Sequence, residues 1–201
     1  MLKKVALLTV LALALPIAAL ADNQIDFNAQ GGTLSGSNAG LTLTGSTLIG
    51  VTNYLGTTTV GTNLGSVSFT TGALLTGSLA TGGTFSGTGS SFTIVGNGVN
   101  GVPMGTIFSG SFVGDVTLTE SGTSLHNYGL FGVVSGTLST GGSATGPVVL
   151  NFATGKGWMG EPVTIGSIDT SVVVPEPGTL TLFGTGLIGL GGMIRRKLRL
   201  V

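Results

Sequence analysis

Along the middle of the chain, apolar and polar positions alternate with a period of two. Leu41-Thr-Leu-Thr44, Ser66-Val-Ser-Phe-Thr70, Ser91-Phe-Thr-Ile-Val95 and Val116-Thr-Leu-Thr119 each put apolar side chains on one face and hydroxyls on the other, as half-buried strands do. Val148-Val-Leu-Asn-Phe152 is a more continuously apolar run, and Thr106 to Phe112 and Leu130 to Leu138 are further strand candidates. Between them lie Gly-containing turns, of which Asn97-Gly98 and Asn100-Gly101 are strong hairpin formers because both residue types tolerate positive φ. No stretch between Asp22 and Val174 has the 3.6-residue apolar spacing of a useful amphipathic helix. Short strands at this spacing predict an all-β fold, an antiparallel sandwich or barrel. The alternative is a β-solenoid, suggested by Ala80-Thr-Gly-Gly-Thr84 beside Ser139-Thr-Gly-Gly-Ser143, although no fixed repeat period supports it.

The pattern divides the chain. Residues 22–65 are rich in Gly, Ser, Thr and Asn with few large apolar side chains, which predicts partial order; residues 66–173 carry the β-rich exported domain. The predicted core draws on Phe69, Phe85, Phe92, Ile94, Ile107, Phe108, Phe112, Val116, Leu118, Phe131, Val133, Val149 and Phe152.

The ends differ from the middle. Lys3 and Lys4 precede an apolar run from Val5 to Leu15, Pro16 interrupts it, and Ala19-Leu-Ala21 follows. This is the layout of a signal peptide over residues 1–21 with a small-x-small cleavage site at Ala19 and Ala21. It predicts export through the Sec machinery and removal by signal peptidase. At the other end Val174-Pro175-Glu176-Pro177-Gly178 leads into an uncharged run over 179–194 and then Arg195, Arg196, Lys197 and Arg199. As a helix the run would reach the short end of what spans a bilayer. The basic cluster would stay on the cytoplasmic side, leaving the domain outside the inner membrane.

The tripeptide Pro175-Glu176-Pro177, the apolar run and the terminal Arg cluster together resemble the PEP-CTERM sorting tail of Gram-negative bacteria, over residues 174–201. The resemblance implies recognition by exosortase, a membrane-embedded protease and transpeptidase, and delivery to the cell surface or extracellular space. It also implies association with exopolysaccharide and biofilm matrix. The motif has a physical rationale, since proline fixes φ, lacks an amide hydrogen and extends the preceding residue. Glu176 is thereby presented in an extended backbone.

Composition narrows the function classes. The formal net charge is zero and only 7% of residues are charged. Basic side chains gather at the ends, leaving Lys156 alone among Asp22, Asp26, Asp115, Glu120, Glu161 and Asp169. A mildly acidic middle offers no counterion-release footprint, so nucleic acid is not an expected partner. The absence of cysteine excludes disulfides, thiol catalysis and thiolate metal sites.

Candidate chemistry is sparse. Gly96-Asn-Gly98-Val-Asn-Gly101 fits a dinucleotide fingerprint, but Pro103 and the surrounding glycines oppose the helix that must follow it. Thr154-Gly-Lys156-Gly lacks the first glycine and the magnesium-binding hydroxyl of a phosphate loop. His126 is the single histidine, so a hydrolase would have to be built on it. Asp115 and Glu120, five apart, fall on opposite faces of a strand and make a poor carboxylate pair. Trp158 and Tyr128 are the available sugar-stacking aromatics, with burial in the core as the competing role. The expectation is a non-enzymatic surface or matrix protein with no cofactor and no metal. A polysaccharide-binding module is the second reading and a hydrolase the third.

Overall fold

The computed structural model describes residues 23–122 and 125–174. The signal peptide, its cleavage site at Ala19 and Ala21, Pro175 to Gly178, the 179–194 run and the cluster from Arg195 to Arg199 lie outside the described residues.

Thirteen strands form one antiparallel network and no helix occurs among the described residues. In chain order they are β1 (Asn23–Gln30), β2 (Thr33–Ser37), β3 (Gly40–Tyr54), β4 (Thr57–Thr70), β5 (Leu74–Ser78), β6 (Gly82–Phe85) and β7 (Ser91–Asn97). They continue with β8 (Met104–Phe112), β9 (Val116–Ser121), β10 (Asn127–Leu138), β11 (Ser143–Ala153), β12 (Val163–Thr164) and β13 (Ser167–Val174). Eight of them close into a ring in the order β1-β3-β4-β7-β8-β10-β11-β13 and back to β1. An even number of alternating directions makes the last seam antiparallel as well. The predicted all-β barrel is therefore the fold, and the solenoid is not.

Strand alternation explains why this sequence closes. Along β11 every second residue is buried, with Ala144, Val148, Leu150 and Phe152 inside and Thr145, Val149 and Asn151 outside. The interior is packed rather than hollow. Phe92 stacks on Phe69 at 6.3 Å and meets Phe108 and Phe112 edge-on at 6.1 and 5.9 Å, the geometries that aromatic quadrupoles favour. The outer wall carries hydroxyls and amides, the reverse of a barrel whose wall faces lipid. Ring curvature brings some backbones too close for any Cβ. Gly110 pairs with Gly136, and a Cβ on either would lie 2.3 Å from a carbonyl oxygen of the neighbouring strand.

Residues 24–65, where scarce large apolar side chains predicted partial order, run almost entirely in β1 to β4 and bury Ile25, Phe27, Leu34, Leu41, Leu43, Leu48, Val51, Tyr54 and Leu64. Two-sided alternation lets single Leu and Ile residues reach the core between hydroxyl positions. Three members of the predicted core depart from it. Phe131 is 52% exposed, Val149 39% exposed and Val133 half-buried. They fall on the outward phase of β10 and β11, whose inward phase is Leu130, Gly132, Val134, Val148 and Leu150.

One end of the ring is capped. Beyond Gly31 and Gly32 (φ 64° and 85°) the line of β1 resumes as β2 on the first half of β3. In the same way β9 resumes the line of β8 along the first half of β10. With β5, β6, β12 and the 154–166 loop these strands cover an aromatic cluster in which Tyr128 stacks on Phe152 at 5.0 Å and Phe152 meets Trp158 edge-on at 5.0 Å.

At the other end the two-residue β3–β4 hairpin, the 98–103 turn and the 139–142 turn surround the mouth, into which Tyr54 points. Its hydroxyl hydrogen-bonds Ser139 at 2.6 Å. Because β1 and β13 are antiparallel neighbours, Gln24 and Val174 both lie on this uncapped rim.

Candidate functional site

The aromatic pair singled out in the sequence is built into the cap. Trp158 is 0% and Tyr128 2% exposed. The Tyr128 hydroxyl donates to the Ala80 carbonyl at 2.7 Å and accepts from the Trp158 amide at 2.9 Å, while the indole N–H donates to the Glu161 carbonyl at 2.7 Å. These polar tips and ring faces are engaged within the fold. Neither aromatic presents a stacking face to a sugar, as the competing core reading had it.

The other candidates are likewise taken up locally. His126 Nδ1 pairs with Glu120 Oε1 across the β9–β10 connection, and His126 sits at φ 46° with its carbonyl receiving the Thr154 amide. Asp115 lies apart, before β9. Lys156 is an exposed turn residue whose ammonium is 3.1 Å from Glu161. Backbone amides, foremost that of Glu161 itself, together with Lys156 hold the Glu161 carboxyl below the usual carboxylate range. Gly98, Asn100 and Gly101 all have positive φ within the β7–β8 turn, so the fingerprint match is a hairpin connection.

A different surface comes together on the outer wall. Phe131, Val149 and Asp169 are register partners on β10, β11 and β13 and point to the same side, with Val133 and Pro147 forming the next pair. Beside them is a surface groove of about 270 Å³ lined by Asp26, Asn28, Thr52, Pro147, Val149 and Asp169 among others. Asp26 is held in place, its Oδ1 accepting from the Ser171 hydroxyl and, at 3.0 Å, from the Gln24 amide. Burial pushes the Asp169 carboxyl up. The wall thus joins an exposed aromatic ring to a row of hydrogen-bond acceptors. Period-two phasing anchored on the glycine at 132 was the signal that would have placed Phe131 outside.

The final feature is where the barrel stops. β13 pairs with β11 up to Thr145↔Val173 and ends at Val174, one residue before Pro175. A family model for the PEP-CTERM protein-sorting motif matches residues 173–197. The chain carries a PEP-CTERM sorting motif. It implies that the chain is an exosortase target, made as a membrane-anchored precursor and exported to the cell surface. No curated protein and no solved structure matches the chain.

The PEP-CTERM match begins inside the fold, because Val173 and Val174 belong to the strand that closes the ring. No spacer separates the barrel from Pro175.

Proposed function

We propose that the protein is a non-enzymatic surface or extracellular-matrix component, delivered by exosortase and associated with exopolysaccharide and biofilm. The observation that carries this reading is the sorting motif fused without a spacer to the last strand of a packed barrel. Such a chain is cargo whose tail is processed and whose barrel is the delivered product. The Sec machinery and signal peptidase act on residues 1–21 before that. A structural role is supported by what the reactive side chains do: His126 pairs with Glu120, Glu161 accepts the Met159 amide at 3.0 Å, and the Tyr128 hydroxyl bridges two backbone groups.

Replacing Pro175, Glu176 and Pro177 with alanine should leave the barrel folded and hold the protein in the inner membrane with its tail attached. Cell fractionation with intact-mass analysis checks this. Undiminished surface delivery of a chain with unchanged mass would end the sorting reading.

Polysaccharide binding is the second reading, and the outer wall favours it. An exposed ring stacks on the C–H face of a sugar, while carboxylates and amides accept from its hydroxyls. Phe131, Asp169 and Asp26 stand in that relation. Trp158 is buried, so its fluorescence is a poor reporter; retardation in gels cast with the host's own exopolysaccharide is a better one. Phe131→Ser should abolish the retardation at unchanged thermal stability, because the ring is half exposed. No retardation of the wild-type chain would remove this reading.

A further inference from the structure

The uncapped rim differs from the rest of the surface in charge and in the kind of side chain it exposes. Leu55 at the β3–β4 tip is 64% exposed, Val60 on β4 79%, Val99 in the 98–103 turn 41% and Met104 at the start of β8 82%. The two projecting hairpins are tied together, Thr59 donating to the Asn100 carbonyl at 3.2 Å and the Asn97 amide to the Asn63 carbonyl. Residues 53–62, 97–106 and 138–145, three of the segments on the rim, contain no Asp, Glu, Lys, Arg or His. Apolar exposure alone would not single this end out, since Leu125 and Met159 at the capped end are 64% and 74% exposed. Those two, however, stand near Glu120, His126, Lys156 and Glu161.

Leu55 supplies a second observation. It and Gly56 are the two central residues of a hairpin turn with φ of 53° and 74°. That conformation favours Asn-Gly, and a leucine there is strained. Its side chain is mostly in water, so packing within the barrel does not offset the strain. A contact outside the barrel would.

Chain connectivity says which contact. Val174 ends on this rim, and the sorting motif goes on through Pro175-Glu176-Pro177-Gly178 to the uncharged run at 179–194, so only a few residues connect the rim to the anchoring segment. We infer that the rim formed by Leu55, Val60, Val99 and Met104 rests on the lipid surface while the precursor is anchored. The inference rests on the anchored-precursor reading above. An uncharged surface enters the interfacial region without desolvating an ion, and the tether makes the contact intramolecular, so weak apolar burial suffices. The barrel is then oriented with the sorting motif at the bilayer surface and the Phe131 wall standing away from it.

The chain has no cysteine, so single-cysteine variants label uniquely. The full-length precursor, reconstituted in phosphatidylcholine vesicles, would carry a fluorophore at Val60→Cys or Met104→Cys on the rim and at Leu125→Cys or Met159→Cys on the capped end. Rim probes should be quenched several-fold more by nitroxide-labelled lipid than capped-end probes, and several-fold less by aqueous iodide. In the combined variant Leu55→Asn, Val60→Thr, Val99→Thr and Met104→Gln, a probe at Thr58→Cys should become open to iodide while circular dichroism is unchanged. Asparagine suits the φ at position 55, so this variant is not expected to misfold. Failure of the chain to float with vesicles would overturn the anchored-precursor reading and this inference with it. Flotation with rim probes as open to iodide as the capped-end probes would overturn the inference alone. Rim probes shielded from iodide yet untouched by the lipid nitroxide would also overturn it, pointing to a second copy on the rim.

Discussion

Asp169 and Phe131 flank Val149 on the same outward row. An aromatic ring stands half in water, and the exposed Asp169 carboxyl is desolvated enough beside Pro147 and Val149 for its proton affinity to rise. For Asp169 the linkage has a definite sign. A folded-state pKa above the unfolded one means that the native state binds more protons in the window between the two values. The stability from this group is complete below the ordinary carboxylate range and is lost as pH rises through the raised value. Asp169→Asn should therefore stabilise the barrel near neutral pH, by less than about 1 kcal/mol because the group is partly solvated. Below the carboxylate range the gain should vanish. Urea melts at the two pH values test this, and an equal gain at both would remove burial as the cause.

Element by element, the strands were legible because the chain writes them in period two. The runs at 41–44, 66–70, 91–95, 106–112, 116–119, 130–138 and 148–152 all fall within strands. Two things were not legible. One was the phase of β10 and β11, where apolar residues occupy both faces and composition cannot say which is inward; only the alternation through Gly132 and Gly146 decides it. The other was the order of residues 24–65. A barrel shares its core among eight strands, so each contributes few large side chains and a Thr-rich segment is buried without looking hydrophobic. The candidate site divides the same way. The sorting motif was legible because it is linear, whereas the Phe131 and Asp169 wall is assembled from β10, β11 and β13 and exists only after the ring has closed.

For the whole molecule, closure and sorting meet in β13. It is the last barrel strand in sequence, it joins β11 to β1, and the sorting motif starts within it. During export through a channel the ring has no final seam until Val174 has emerged, immediately ahead of Pro175. β11 and β13 come closest at Gly146, where a Cβ would lie 1.8 Å from the Ser171 carbonyl oxygen on β13. Gly146→Ala must push the two strands apart, and overpacking of this kind costs roughly 1–3 kcal/mol even when neighbours adjust. Here the neighbour is backbone, so the upper end applies. Gly141→Ala is the matched control, since that residue lies in the adjoining turn at φ 87° with open space around it, and only backbone strain of about 1 kcal/mol is at stake. Denaturant melts should rank Gly146→Ala well below Gly141→Ala. In cells the surface-delivered fraction should fall with Gly146→Ala and hold with Gly141→Ala. If Gly146→Ala were delivered normally despite a weakened barrel, processing at Pro-Glu-Pro would be independent of the fold it adjoins. Loss of delivery in step with loss of stability would mean that the closed rim is part of what is sorted.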